Sequence, residues 1–404
     1  MPKPLRPVDE ALQAMLAQFE SLQNSNSSTS RVRETCVLSQ ALGRVLAVAV
    51  QAELDVPPCD NSAMDGYALR VSDAPGPLPV SQRVAAGQAP QPLLPGTCAR
   101  IFTGAPIPAG ADTVVMQEKI SLTAFEDILF PADLVPGNNI RRAGQDVVAG
   151  TTLLTPGVRL DARHLGLLAS IGWAEVEVYR PVRVAILSTG DELVSPGQAL
   201  APGQIYNSNA PLLQGLLSEW GAEVVSVQPV EDSFAATCQA LTAAAQQADL
   251  IISTGGVSVG EEDHIKPAVE ALGGLEVWRL AMKPGKPLAI GYIGQTPFIG
   301  LPGNPVSTYV GAQVFVRPAV QQLSGATPES PRLLQGIAQF RTRTEIRQEY
   351  LRVQAVWRDQ AWQLEAFANQ NSGVLTSVVW ANALAVIPPG QCVQPGDRVT
   401  FFLL

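Results

Sequence analysis

Two stretches of this chain follow one plan, an apolar branched run that ends in Ser-Thr-Gly: RVAILSTGDELV at 183–194 and ADLIISTGG at 248–256. Apolar runs without polar alternation suit strands buried on both faces, the environment of a parallel sheet. Between and after them lie helical patterns such as PLLQGLLSEW and SFAATCQALTAAAQQA. Residues 181–327 therefore predict a doubly wound α/β domain built on a parallel sheet. In such a sheet ligands bind in the crevice at the carboxyl ends of the strands, where glycine turns can aim backbone amides outward. Ser188, Thr189, Gly190, Gly255 and Gly256 are expected there, with Ser258 just beyond. Asp232, after the apolar run AEVVSVQPV, closes a third strand and can join them.

Two more punctuated motifs follow. In Lys283-Pro284-Gly285-Lys286-Pro287 the prolines fix φ and keep the preceding residue extended, so both lysines sit on preorganised backbone. That arrangement suits a dense oxyanion, and equally a surface turn with two solvated lysines. In Pro302-Gly303-Asn304-Pro305, Asn304 is placed to cap a helix over 306–316 with Pro305 at its first position. Ser307 then lies at an amino end that favours anions, unless the motif is only a well-capped helix. Glu192 and Asp263, just past the two Ser-Thr-Gly turns, are candidate oxygen ligands for magnesium.

Bulk properties narrow the function. The 404 residues exceed one ordinary core and suggest about two to four units. A hydrophobic share of 46% with 16% charged residues marks a folded chain. No apolar run approaches the ~18 residues that span a bilayer, and MPKPLRPVDE does not read as a signal peptide, so a cytoplasmic, non-membrane protein is expected. A net charge of −9 argues against nucleic acid as a partner. Five cysteines without CxxC spacing suggest neither a disulfide framework nor a zinc site. The only histidines, His164 and His264, exclude a histidine-rich metal centre.

The remaining chain divides by texture. Val8, Leu12, Met15, Leu16, Phe19 and Leu22 recur at helical spacing before the polar connector SLQNSNSSTS. Residues 36–50 read as helical or mixed, and residues 51–146 as short strands broken by proline and glycine. A helix over 160–171 is expected to pack with the amino-terminal helices, making a discontinuous helical linker domain of 1–50 and 147–180 around an inserted β-rich domain. Residues 328–404 return to strands, a small β-barrel.

Seven ordered motifs, STGDEL, GGVSVGEED, KPGKP, LPGNPVS, DNSAMDGYA at 60–68, FTGAPIPAGADTVVMQE at 102–118 and NIRRAGQD at 139–146, run along nearly the whole chain. Together they resemble the molybdopterin molybdotransferase family, the MoeA and gephyrin E-domain group. The resemblance implies a molybdenum insertase that transfers molybdate onto the dithiolene of adenylylated molybdopterin, with magnesium-dependent release of AMP. It implies a homodimer whose site is shared between subunits, a separate molybdopterin adenylyltransferase as partner, and molybdoenzymes or cofactor carriers as recipients. Asp65 and Asp146 fall on acidic positions that the family's chemistry requires, although Asp65 in its Asp-Gly turn also reads as turn chemistry. Thr103 and Arg141, beside Arg142, match phosphate or oxyanion contacts, and Arg352 and Ser372 match an oxyanion-contacting pair in the last domain. Arg352 on a strand otherwise reads as a solvent-facing charge. Arg279 stands where some relatives have lysine, which keeps the charge and changes the donor geometry. A scaffold without catalysis would be favoured by loss of Asp65, Asp146, Asp263 or the lysines, all of which are present, and a general nucleotide-binding or tungsten-handling protein shares the anion logic.

Overall fold

The computed structural model describes residues 5–25, 31–256, 264–328 and 331–404. At its centre is a six-stranded sheet in the order Glu223–Val230, Arg183–Thr189, Leu250–Thr254, Thr296–Leu301, Pro287–Ile293, Gly273–Arg279. The first four strands are parallel and the last two close the sheet as antiparallel neighbours. Successive side chains of a strand face opposite sides, and the cores show it. Val184, Ile186, Leu250, Ile252 and Ile299 enter one cluster, while Ala185, Leu187, Ile251 and Phe298 enter the other. Both clusters are apolar because helices cover both faces, which is why the strand sequences show no polar alternation.

The second face is covered by α4 (Phe234–Gln247) and α5 (Ile265–Leu272). The first carries α3 (Asn209–Glu219), α6 (Pro305–Gly311) and α7 (Arg317–Ser324), the last two continuous through a π-helical turn at Ala312–Val316. It also carries α1 (Val8–Ser25), whose Val8, Ala11, Met15 and Phe19 are buried in that cluster. The expected partnership of the amino-terminal helix with the helix near residue 165 is thus corrected. The apolar stripe of α1 finds the larger apolar surface of the sheet, and α2 (Ala162–Ser170) packs in a separate core with Leu46, Val50, Val176 and Val178.

Residues 36–50 are mixed, with a single 3-10 turn at Leu38–Gln40 between short strands. Strand Arg33–Val37 pairs with Glu175–Tyr179, which pairs in turn with Val45–Leu46. Gly43, at φ +76°, makes the left-handed turn that a helix through ALGRVLA would not tolerate. The chain leaves this linker unit through Val50–Gln51, paired with Thr152–Leu154 on its return, and Val56 bridges Val147 further out. Between them lies a β-rich unit whose main sheet orders Val80–Val84, Cys98–Ile101, Gly66–Leu69 and Thr113–Met116.

The last unit is a closed barrel. Gln348–Arg358 pairs with Ala361–Ala366 and with Ala383–Ile387, and the ring completes through Arg398–Leu403 and Leu334–Ala338. Met282–Lys283 adds to it in parallel, opposite Gln348 and Glu349. The first lysine of KPGKP therefore sits on a strand that docks the α/β domain to the barrel.

Because Phe19 is fully buried against the sheet, Phe19→Ala should cost about 3–5 kcal/mol in the unfolding transition of the α/β domain. Chemical denaturation followed by hydrogen exchange on the central strands measures it. A loss confined to the linker unit would contradict this placement of α1.

Candidate functional site

The parallel register sets the level of the crevice. Ser188 lies opposite Thr254, and Thr254 opposite Leu301, so the two Ser-Thr-Gly turns and the Pro-Gly-Asn-Pro turn emerge side by side. The Thr254 hydroxyl donates to Ser188 Oγ at 3.4 Å, and the Gly255 amide to Leu301 O at 3.1 Å. Gly255 and Gly256 have φ of +89° and +66°. A Cβ on Gly256 would come within 2.5 Å of Ile265 and one on Gly255 within 3.0 Å of Thr189 O, so the turns nest only as glycine.

Beyond these turns opens a cavity of about 470 Å³. Its wall brings together Gly255 and Gly256, Lys283 to Pro287, and Pro302, Gly303, Asn304 and Ser307. Those are the three glycine motifs, separated in sequence and joined here. The barrel supplies the far wall with Ser372 and with three residues that sequence reasoning missed, Arg347, Gln370 and Asn371. No spacing flags Arg347, which precedes a strand that only barrel closure brings to the site. Among the described residues the lining contains Lys283, Lys286 and Arg347 and no carboxylate. A cavity with three cations and glycine-turn backbone has the chemistry that attracts an anion even in a chain of net charge −9.

Several details depart from the sequence expectation. Asn304 occupies the cap position of α6 without a side-chain capping bond, and its exposed side chain faces the cavity region. One amide of the α6 amino end is already satisfied, since Val306 N donates to Ser372 O at 3.0 Å. Lys283 is half exposed and donates to Glu349 Oε1 at 2.9 Å. Glu349, almost buried, was not anticipated; it orients the ammonium from behind the wall.

Arg352 is neither solvent-facing nor part of the lining. It is 1% exposed and spends its donors on Ser377 Oγ at 3.1 Å, Tyr350 O at 3.1 Å and Asn371 O at 3.5 Å. Burial brings its guanidinium down to about 10. Gln370 bonds both the amide and the carbonyl of Arg352 at 3.0 Å. Arg352 thus holds the 370–373 loop that carries Ser372, a positioning role.

Other candidates lie along the same sheet edge. A Cβ on Gly190, at φ +132°, would sit 2.5 Å from Glu192 Oε2, so the carboxylate folds back over this glycine. Asp232 is half-buried between its strand and Ser233, which caps α4 by accepting from Ala236 N at 3.3 Å. Pro305 is the first residue of α6, and Arg279 ends its strand opposite Pro287; neither lines the cavity. Ser258 and Asp263 lie outside the described residues.

The acidic candidates of the inserted unit form a second group, none of which lines the cavity. Thr103 donates its amide and its hydroxyl to Asp65 Oδ1, each at 2.8 Å. The amide, then the hydroxyl, hold this exposed carboxyl below its ordinary range. Gly66 follows because a Cβ there would fall 1.9 Å from Val115 O. Asp60 accepts from Ala143 N at 2.9 Å and Arg142 Nη1 at 2.5 Å, which leaves exposed Arg141 as the guanidinium of the pair without a side-chain partner among the described residues. Asp146 is exposed, with its amide bonded to Val56 O.

Family models match three stretches: MoeA N-terminal region (domain I and II) over residues 6–172, Probable molybdopterin binding domain over 185–322, and MoeA C-terminal region (domain IV) over 336–404. The molybdopterin molybdenumtransferase of Haemophilus influenzae is 44% identical over 291 residues, 71% of this chain and 72% of its own. That of a Nostoc species is 38% identical over 371 residues, covering 87% and 84%. The crystal structure of the molybdopterin biosynthesis MoeA protein from Pyrococcus horikoshii superposes with a TM-score of 0.83 at 27% identity, over 99% of this chain and 100% of that one.

Thr103→Val should raise the Asp65 titration midpoint, because the hydroxyl contributes to its depression. The sign matters for stability. A depressed carboxyl stabilises the fold above its unfolded pKa and loses that contribution as pH falls through the folded value, so in the variant the acid loss should be smaller and be complete at higher pH. Carboxyl NMR shifts measure the midpoint, and an unmoved Asp65 would contradict the assignment. Arg352→Met should cost about 2–4 kcal/mol and speed amide exchange at Ser372 and Gly373; unchanged exchange there would remove its positioning role.

Proposed function

The chain belongs to the MoeA family and is a transferase of molybdenum cofactor biosynthesis, and within that role we propose that it transfers molybdate onto the dithiolene of adenylylated molybdopterin, with release of AMP. The observation that carries this reading is the cavity in which three glycine motifs, two lysines and an arginine meet with no carboxylate in its described lining. Lys283 and Lys286 would hold molybdate or the phosphates of the cofactor, and the glycine-turn amides would add donors that need no reorganisation. Ser307 and Ser372 complete the wall. The substrate would come from a molybdopterin adenylyltransferase, and the product would pass to molybdoenzymes or a carrier.

Magnesium fits the donor chemistry. Among the described residues no group of three or more His, Cys, Asp or Glu side chains is arranged for a metal. Magnesium needs no such cage, since it takes one or two carboxylates with water and substrate phosphates. Glu192 and Asp263 would hold it, and its chemistry there is to offset charge on the pyrophosphate. No helix of the described residues is long and apolar enough to cross a membrane; the proposed location is the cytoplasm.

Asp65, Thr103, Arg141 and Asp146 are chemically suited to the same anionic substrate yet sit apart from the cavity of their own chain. That separation supports a homodimer in which the inserted unit of one subunit closes the cavity of the other. Asp65 and Asp146 would then orient the molybdenum-delivering step.

Reconstitution with purified chain, adenylylated molybdopterin, magnesium and molybdate, measuring AMP and active cofactor together, tests the reading. Asp65→Asn and Lys283→Ala should each lower the rate about 10²–10³-fold. Full rates in both would sink the site assignment, and a parallel tungstate arm decides which oxyanion is preferred.

A further inference from the structure

A second cavity, of about 510 Å³, opens where the linker unit meets the α/β domain, and its lining shares no residue with the first. Five arginines reach it: Arg44, Arg159, Arg163, Arg180 and Arg317, against one carboxylate, Asp161, among its lining residues. In a chain of net charge −9 this is a local cluster of basic side chains, partly neutralised by acids inside and outside the wall.

Three of the guanidiniums have carboxylate partners. Arg44 pairs with Glu34, Arg163 with Asp161 at 2.5 Å, and Arg180 with Asp249 at 3.0 Å. Arg159 reaches across the junction and donates to Glu219 O at 2.9 Å, the carbonyl that ends α3. It does so through space that Gly221 leaves open, where a Cβ would lie 3.1 Å from Arg159 Nη2. The guanidinium of Arg317, half-buried at the start of α7 and near enough to Tyr309 for its charge to act there with that of Glu219, makes no hydrogen bond or ion pair among the described residues. A half-buried guanidinium that lines a cavity with four other arginines is stabilised by a bound oxyanion, to which its planar fork donates two hydrogen bonds. The volume exceeds what a bare oxyanion fills, and Trp220 lines the same space.

We propose that this junction cavity binds a phosphate-bearing small molecule, with the phosphoryl group on Arg317 and its neighbouring guanidiniums and the remainder beside Trp220. The ligand bridges the linker unit to the α/β domain, so its occupancy stiffens the junction from which the inserted unit projects. The site is independent of the proposed reaction, since it shares no residue with the glycine-motif cavity.

Calorimetric titration of the full chain with inorganic phosphate and with AMP, followed in parallel by Trp220 fluorescence, tests it. Arg317→Gln should weaken binding about ten- to a hundredfold, the loss of one charge-assisted pair. Arg163→Gln should weaken it less, and Lys286→Ala should leave this event unchanged while altering any event at the other cavity. AMP binding tighter than phosphate, with a fluorescence change lost in Trp220→Phe, assigns a nucleoside phosphate; equal affinities assign the phosphoryl group alone, and either result upholds the site. Parental affinity in both arginine variants, or no saturable binding of either probe up to roughly 20 mM, well above the affinity that one charged pair should supply, overturns it.

Discussion

The site depends first on parallel register. Because the strands ending at Thr189, Thr254 and Leu301 are hydrogen-bonded side by side in one direction, their exits fall at one level of one edge. Turns far apart in sequence then crowd together, and only residues without a Cβ fit where they touch. Gly255 and Gly256 are glycines for that reason as much as for any ligand. A sheet with one antiparallel strand at this point would have separated the motifs by the length of a strand.

What the register sets, the barrel completes. The strand Met282–Lys283 belongs by sequence to the α/β domain and by hydrogen bonding to the barrel, and Lys283 meets Glu349 across that seam. An ion pair with one partner half in solvent contributes little to stability. Its effect is directional, since it limits where the ammonium can point. Arg352 acts in the same manner one layer deeper, by tying down the loop that presents Ser372. Both cases show barrel residues shaping a basic cavity that they do not themselves line.

The two cavities differ in how their charge is held. Around the glycine motifs the cations project from turns whose conformation is set by proline and glycine, and the one acid that reaches them, Glu349 on Lys283, does so from behind the described lining. At the linker junction the arginines come from both units, and several are already matched by acids outside the wall. The first arrangement is preorganised by the backbone, the second by the packing of two units against each other. The electrostatic excess at the second therefore belongs to the tertiary structure alone.

Much of this was legible in the chain. Apolar strands ending in Ser-Thr-Gly, proline-fixed lysines and the return to strand texture after residue 327 report local preferences, which act over a few residues and survive in the fold. The reading failed where the outcome turned on competition between distant surfaces. An amphipathic helix such as α1 carries a stripe but no address, and the sheet outcompeted the linker for it. Arg347, Gln370 and Asn371 entered the site, with Glu349 behind it, through closure of a barrel whose pairings no local pattern specifies, and Arg352 lies outside the wall for the same reason. The sequence by itself determined which elements form and which chemistry they carry; which of those residues share a cavity was decided only by long-range strand pairing and core burial, because those energies depend on partners more than sixty residues away.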